Sequence, residues 1–159
     1  MLLLFFFALL VLFSQLKTIS KSSIVPYSSE QMYALVNDVK RYPEFVLYTK
    51  ECRVLERLDD SVIARLTIAK GGLKHSFTTH NFFYPYEKIE MKLVDGPFSH
   101  LEGLWQFKTL NESHCKVSLD MKFHISDRLL RIAFGPLFTF IASNMMETFI
   151  KRAGKVYGK

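Results

Sequence analysis

The fold of this chain is decided by residues 115–153, which read CKVSLDMKFHISDRLLRIAFGPLFTFIASNMMETFIKRA. In residues 115–124 apolar and polar side chains alternate strictly, a period typical of a strand with one covered face and one wet face. From residue 130 onward apolar side chains recur three or four positions apart, which is the period of an amphipathic helix. The stretch therefore predicts a strand followed by a helix that covers the apolar face of the sheet.

The predicted helix is interrupted and has a wide apolar side. Ser126 or Asp127 is placed to cap its first turn. Gly135-Pro136 should kink or restart the helix, because proline has no amide proton and clashes with the preceding turn. The apolar stripe consists of Leu130, Phe134, Phe138, Ile141, Met145, Phe149 and Ala153, flanked by Ala133, Leu137, Phe140, Met146 and Ile150. A helix half covered by a sheet does not need so much apolar surface, so the surplus suggests contact with a lipid or a partner.

The two-residue period also runs through most of the chain before this stretch. Apolar side chains occupy alternate positions in residues 62–68, 89–93 and 101–107. Only short turn sequences separate such segments, and short turns join antiparallel neighbours because a parallel crossover needs a dozen or more residues. The pattern predicts an antiparallel meander of about six strands.

A strand and a short helix are expected before the meander. Residues 18–25 read as a strand that Pro26 closes. Ser28 and Gln31 have the spacing of a capping box, and the helix must end before Tyr42, because a residue preceding proline is pushed out of helical dihedrals. The predicted fold class is therefore α+β: a curved antiparallel sheet of about seven strands wrapped around a long C-terminal helix.

The 159 residues suit a single domain, which we expect to span residues 17–159. The formal charge of +6 lies entirely in that span. It is compatible with RNA, with an anionic membrane surface, or with a basic surface that binds neither. Cys52 and Cys115 have neither CxxC nor metal-like spacing, so we expect small buried thiols in a reducing compartment such as the bacterial cytoplasm.

Residues 1–16 form an uncharged, apolar extension. The apolar run from Leu2 to Phe13 is too short to cross a bilayer, which takes about 20 residues. It also lacks the basic start and the small-residue cleavage site of a secretory signal. Two interpretations stay open: the natural protein begins near Leu16, or the extension tethers the domain to a membrane.

Several short motifs resemble the coenzyme Q-binding and ribosome-association (RatA-type) branch of the START-like proteins. They are Pro26-Tyr27-Ser28, Val36-Asn37-Asp38-Val39, Tyr42-Pro43-x-Phe45, Val94-Asp95-Gly96-Pro97-Phe98 and Asn144-Met145-Met146. The likeness spans roughly residues 17–157 and implies a helix-grip fold without known catalytic residues. It implies one of two functions: binding of ubiquinone in support of respiration, or binding of the large ribosomal subunit as a toxin that blocks subunit joining.

A sheet that grips a helix is expected to enclose a hydrophobic cavity. The candidate lining residues are Leu66, Phe77, Met91, Trp105, Phe107, Met121, Phe123, Phe134, Phe138, Ile141 and Met145. The alternative is that each of them simply packs in the core. A polyprenyl quinone suits such a cavity, because burial contributes about 0.8 kcal/mol per CH₂ group. Its head group would need hydrogen-bond donors, for which Tyr42, Tyr48, Asn81 and Trp105 are the candidates.

The ribosomal alternative depends on basic residues at outward strand positions. The candidates for contact with RNA are Arg65, Lys74, Lys92, Lys116 and Lys122. Glu90, Glu102 and Asp120 interrupt them, so a plain solvated face is the competing interpretation.

Enzymatic interpretations find little support in the sequence. His75 and His80 are five apart on a predicted strand, point to opposite faces and cannot share a metal ion. Asp95 is better explained as a turn residue than as an acid catalyst. Polyketide cyclases share the general fold, so an enzymatic function is supported only by this analogy. We expect a non-enzymatic protein with no metal and no required cofactor that binds ubiquinone or another lipid, with ribosome binding as the alternative and a membrane surface as a further partner.

Overall fold

A computed structural model describes residues 1–158, with the side chains of residues 10–15 left aside. The helices are α1 (Leu2–Gln15), α2 (Ser29–Asn37), a 3₁₀ helix (Val39–Glu44), α3 (Arg128–Ala133), α4 (Gly135–Ser143) and α5 (Met145–Tyr157). The strands are β1 (Lys17–Val25), β2 (Thr49–Arg57), β3 (Ser61–Lys70), β4 (Leu73–Tyr84), β5 (Lys88–Asp95), β6 (His100–Asn111) and β7 (His114–His124).

The seven strands form one antiparallel sheet in the order β1-β7-β6-β5-β4-β3-β2. Strands β2 to β7 are the predicted meander, and β1 pairs with β7, so that Lys17 lies opposite Phe123 and Val25 opposite Cys115. The prediction of an α+β fold with a seven-stranded sheet is confirmed. Its inner face carries the core, and its outer face faces solvent.

Helix α2 begins as the sequence predicts. The Ser28 hydroxyl accepts a hydrogen bond from the backbone of Gln31, whose side chain accepts one from the backbone of Ser28. The α-helix ends at Asn37, and Tyr42 and Pro43 lie in the 3₁₀ helix that follows. The capping box is confirmed, and the end of the helix before Tyr42 is confirmed as well.

The turn after β5 depends on a glycine. Asp95 Oδ1 accepts a hydrogen bond from the Gly96 amide at 2.9 Å, so the aspartate is the turn residue that the sequence predicts. Gly96 has φ of +142°, and a Cβ there would lie 2.6 Å from the Cβ of Phe77. Only glycine fits, because other residues would combine an unfavourable φ with a clash. The turn delivers Phe98 into the core, where its ring centroid lies 4.7 Å from that of Phe138.

The C-terminal helix that covers the sheet is divided into three consecutive segments. The first interruption lies at Phe134, and Pro136 occupies the first turn of α4, where its missing amide proton is tolerated. This is the expected effect of Gly135-Pro136. The second interruption, at Asn144, was not predicted. The Asn144 side-chain amide donates to the carbonyl of Phe140 at 2.8 Å, which competes with regular helical hydrogen bonding.

The wide apolar side of these helices is partly buried. Of the five flanking residues, Leu137 and Met146 lie in the core, Ile150 is half-buried, Ala133 is exposed and Phe140 is 47% exposed. Helix α2, which packs against α5, covers part of this surface. Contact of the exposed residues with a lipid or a partner stays a prediction.

Helix α1 stands apart from this arrangement. The side chains of Leu2 to Phe7 and of Leu9 are more than half exposed. Within residues 1–158, no helix is both long enough and apolar enough to cross a membrane.

Candidate functional site

A cavity lies between the inner face of the sheet and the segments α4 and α5. It leaves about 80 Å³ of space to the centres of water-sized molecules, which corresponds to roughly six waters. Its lining is predominantly aliphatic and aromatic, with no charged side chain among its lining residues. A neutral, mainly apolar molecule about the size of a single ring suits such a space.

Eight of the eleven candidate lining residues meet at this cavity. They are Leu66, Phe77, Met91, Trp105, Met121, Phe138, Ile141 and Met145. Strand parity brings the first five to the inner face, and the helical period directs the other three toward them. The group that the sequence places together is therefore also together in space.

The structure places Phe107, Phe123 and Phe134 outside the cavity. Phe107 packs under α2, with its ring centroid 5.8 Å from that of Tyr33. Phe123 and Phe134 belong to an aromatic cluster around Phe98 at the other end of the sheet. Phe107 and Phe123 have the strand parity of the inner face, and Phe134 lies between α3 and α4 and packs against that face. The inner face is longer than the cavity, and its ends are filled by neighbouring aromatic rings.

Further residues line the cavity besides the eight, and among them the sequence analysis had named only Tyr42 and Asn81, as head-group candidates. Val36, Val39, Tyr42, Val46 and Thr49 contribute from α2, the 3₁₀ helix, the loop that follows it and the start of β2. The rest of the wall is formed by Ile68, Thr79, Asn81, Phe83, Ile89, Gly103, Leu119, Ala142 and Phe149. The sequence could have predicted the position of Thr79, because it lies two residues after Phe77 on β4 and therefore faces the same side of the sheet.

Two polar side chains on this wall each have an oxygen atom without a hydrogen-bond partner among the described residues. Thr79 is fully buried and Asn81 is 6% exposed. Thr79 Oγ1 and Asn81 Oδ1 are both shielded from solvent and form no hydrogen bond within the described residues. An unsatisfied buried polar group costs about 1–3 kcal/mol of folding free energy. These two unpaired atoms therefore destabilise the folded protein, and they lie in an otherwise mainly apolar wall.

Of the other three head-group candidates, Tyr42 and Trp105 line the cavity and Tyr48 does not. The Tyr42 hydroxyl lines the cavity but donates to the carbonyl of Val36, and burial raises the pKa of Tyr42 well above its usual range. Tyr48 lies outside the cavity wall, where Lys70 Nζ sits 4.8 Å from its ring centroid. Trp105 is on the wall, with its ring centroid 5.2 Å from that of Phe149.

The five candidate RNA-contacting residues all lie on the outer face of the sheet. Arg65, Lys74, Lys92, Lys116 and Lys122 are all exposed. In the described part of the chain, none of the five forms an ion pair. Lys92 Nζ lies 5.5 Å from the ring centroid of Phe82, and all five cationic groups remain accessible to an anionic partner.

The outer face also contains a basic pair that the sequence analysis missed. Lys108 lies directly opposite Lys116 across β6 and β7, and both are exposed. Like charges at directly opposed positions destabilise a sheet. The alternation of Trp105 and Gln106 already predicts that Lys108 lies on the outer face. Its position opposite Lys116 could not be predicted in the same way, because it depends on the register between β6 and β7.

The histidines and cysteines belong to no cluster that could hold a metal ion among residues 1–158. His75 lies on the inner face, 5.1 Å between ring centroids from Phe134, whereas His80 stacks on Phe82 on the outer face. The two point to opposite faces as predicted. Burial raises the pKa of the Cys52 thiol to about 11 and also raises the pKa of Cys115. Both thiols are free and stay protonated at neutral pH, which makes them poor nucleophiles.

Residues 25–150 match the family described as polyketide cyclase / dehydrase and lipid transport. The chain is 45% identical over 140 residues to the ribosome association toxin RatA of Pseudomonas aeruginosa, covering 88% of this chain and 97% of that protein. It is 26% identical over 144 residues to the mitochondrial coenzyme Q-binding protein COQ10 homolog B of Xenopus laevis, covering 88% of this chain and 59% of that protein.

Solved structures show the same fold at low sequence identity. The Zhui aromatase/cyclase from Streptomyces sp. R1128 superposes with a TM-score of 0.77 at 15% identity, covering 88% of this chain and 94% of that chain. A START superfamily protein from Mycobacterium smegmatis superposes with a TM-score of 0.64 at 23% identity, covering 86% of this chain and 92% of that chain. The fold is thus the helix-grip arrangement of START-like proteins.

Proposed function

Because this chain belongs to the polyketide cyclase / dehydrase and lipid transport family, in the branch that contains the ribosome association toxins, we propose that it binds the large ribosomal subunit and blocks subunit joining. The observation that carries this proposal is the 45% identity to a ribosome association toxin over 97% of that protein's length. The match extends over nearly the whole domain, so it includes the outer face of the sheet as well as the core.

The charge on the outer face supports contact with RNA. Lys108 and Lys116 repel one another in the free protein, and a phosphate placed between them would relieve that repulsion. Arg53 and Arg65 are likewise opposed across β2 and β3, although Arg53 has a partner in Glu51 at 2.9 Å. Two opposed cationic pairs on one face are suited to a polyanion.

Cosedimentation with purified large subunits at several salt concentrations tests this proposal. Binding should weaken steeply as salt rises, because each phosphate contact releases a counterion. The double variant K108E/K116E should lose most of its binding, whereas K151E/K155E on α5 makes the same charge change elsewhere and should bind much like the parent. Binding that ignores salt, or that both variants weaken equally, would contradict a role for the outer face.

A second function is supported by the cavity: binding of a neutral apolar ligand, with ubiquinone as the candidate. The family includes lipid transport in its description, and the COQ10 relative is a coenzyme Q-binding protein. The closed space of about 80 Å³ suits a head group, so a polyprenyl tail requires α4 and α5 to move away from the sheet. Organic extraction of the purified protein and mass spectrometry test this function. A protein that is empty and takes up no quinone would count against it.

The remaining proposals concern catalysis and location. We infer that the protein has no catalytic activity, and the protonated thiols and the separated histidines support this. A cytoplasmic location fits both functions, with contact to a membrane surface as the route by which a quinone would enter. We propose that residues 17–159 suffice for both functions, and that residues 1–16 act at most as a tether.

A further inference from the structure

We propose that Thr79 and Asn81 form a hydrogen-bonding site for the hydroxyl group of a ring-sized apolar ligand, such as a phenol or a hydroquinone. This inference rests on the second proposed function, ligand binding in the cavity, and adds the chemistry that the cavity recognises. It is carried by the two buried polar atoms that face the cavity without a partner.

The side chains directly opposite Thr79 and Asn81 on the neighbouring strands offer neither of them a hydrogen-bond partner. Thr79 and Asn81 are two apart on β4, so their side chains share the inner face at a spacing of about 7 Å. Thr79 lies opposite Ala64 on β3 and Leu93 on β5. Asn81 is flanked in the same way by apolar residues of the two neighbouring strands, Val62 and Met91.

The helices that cover the sheet offer no partner either. The cavity residues that they contribute are Phe138, Ile141, Ala142, Met145 and Phe149. None of these side chains carries an oxygen or nitrogen, and a thioether is only a weak acceptor. The hydroxyl of Tyr42, another cavity residue, donates to the carbonyl of Val36, and within the described residues no group forms a hydrogen bond with Thr79 Oγ1 or Asn81 Oδ1. A molecule inside the cavity is therefore the partner that we infer for both atoms.

The unpaired atoms define what that molecule must offer. Asn81 Oδ1 can only accept, so the ligand needs a donor, while the Thr79 hydroxyl can donate or accept. A hydroxyl group meets both requirements. A quinone carbonyl can accept from the Thr79 hydroxyl but leaves Asn81 Oδ1 unpaired in the orientation that the amide has here, whereas a hydroxyl group can pair with both atoms. An ionised acid or amine is excluded because no side chain of opposite charge lines the cavity.

A matched pair of small probes tests this chemistry on the full-length protein. The two probes are 4-methylphenol and 4-methyltoluene, which have nearly the same shape and differ by a hydroxyl in place of a methyl group. Calorimetric titration gives the two dissociation constants. The emission of Trp105, the single tryptophan of the chain and part of the cavity wall, reports whether each probe enters there.

The parent protein should bind the phenol more tightly than the hydrocarbon. In the double variant T79V/N81L, the ratio of the two dissociation constants should change by at least about tenfold in favour of the hydrocarbon. The matched control is T78V, on the same strand but with its side chain on the outer face, and it should keep the parent ratio.

The possible outcomes separate the inference from the function on which it rests. If neither probe binds the parent protein, both ligand binding in this cavity and the hydroxyl site are overturned. If both probes bind but the hydrocarbon binds more tightly, or T79V/N81L keeps the parent ratio, the hydroxyl site alone is overturned and the polar pair holds only water. A change of ratio in T78V as large as in T79V/N81L would also overturn it.

Discussion

At the scale of single residues, stability and recognition conflict on the inner face of β4. Thr79 and Asn81 occupy positions where valine and leucine would pack without cost, because their neighbours on the sheet are apolar. Buried polar groups in native proteins are nearly always paired. A pair that is left without partners beside a cavity is better explained by a ligand than by folding.

The first prediction concerns the stability of the ligand-free protein. Replacing Thr79 with Val and Asn81 with Leu should raise the free energy of unfolding, by about 1–3 kcal/mol at each site, because an unsatisfied polar group is removed with little change of shape. Thermal denaturation of the extracted protein measures this as a higher Tm. A lower Tm would mean that these side chains have partners in the folded protein.

A second residue-scale prediction concerns Trp105. Its side chain is 8% exposed and contacts Phe149, so Trp105→Ala should destabilise the protein by about 3 kcal/mol, the lower end for such a truncation because one side already borders a cavity. Phe140→Ala is the control, since that ring is 47% exposed and should cost far less. Urea denaturation distinguishes the two, and equal losses would contradict the core position of Trp105.

A third prediction follows from the raised pKa of Cys52. The thiol titrates near its usual 9.0 in the unfolded chain and near about 11 in the folded protein. A folded pKa above the unfolded one stabilises the protein fully below pH 9, and this contribution is lost as the pH rises toward 11. Denaturation midpoints should therefore fall above pH 9. The denaturation midpoint of the Cys52→Ala variant should fall less steeply above pH 9. Identical pH profiles for the variant and the parent protein would contradict burial of the thiol as the cause.

At the scale of elements, the C-terminal segments and the leading helix behave differently. The segments α3, α4 and α5 are interrupted at Gly135-Pro136 and at Asn144, yet α4 and α5 are anchored by buried side chains such as Phe138 and Phe149. Helix α1 has no comparable anchor in its described side chains. Hydrophobicity alone therefore does not make an element part of the core.

The fourth prediction is that deleting residues 1–16 leaves the domain intact. The side chains of Leu2 to Phe7 are more than two thirds exposed, so this described part of the extension contributes little buried surface. The Tm should change by no more than about 2 °C, and ribosome cosedimentation should be unchanged. A large fall of the Tm would show that α1 packs on the domain.

At the scale of the whole molecule, the two faces of the sheet have separate roles in our proposals. The inner face surrounds the cavity, and the outer face carries exposed cations without ion-pair partners. The two surfaces are separated by a single sheet thickness, so a substitution on one face can leave the other unchanged. This separation allows ligand binding and ribosome association to be tested independently.

The fifth prediction belongs to this scale. Lys108→Glu converts a repulsive pair with Lys116 into an attractive one, so it should raise the free energy of unfolding by roughly 0.2–1 kcal/mol. The same change should weaken binding to the large subunit, because it reverses a charge that we propose to face phosphate in the complex. Opposite shifts of the Tm and of cosedimentation are the expected result. If both decrease, the loss of binding reflects damage to the fold.

The local features of this protein were predictable because they depend on neighbouring residues in the chain. The alternation in residues 115–124 predicts β7, and the spacing of Ser28 and Gln31 predicts the start of α2. Short turns predict antiparallel order, and Gly135-Pro136 predicts an interruption of the C-terminal helix. Each of these depends on backbone geometry or on the period of one element.

The tertiary structure decided what depends on several elements at once. The exclusion of Phe107 from the cavity and the pairing of Lys108 with Lys116 follow from packing and register between distant segments. Whether a polar side chain such as Asn81 has a partner also depends on every element around it. The physical reason is that strand parity assigns a side chain to a face, whereas its neighbours on that face come from elsewhere in the chain.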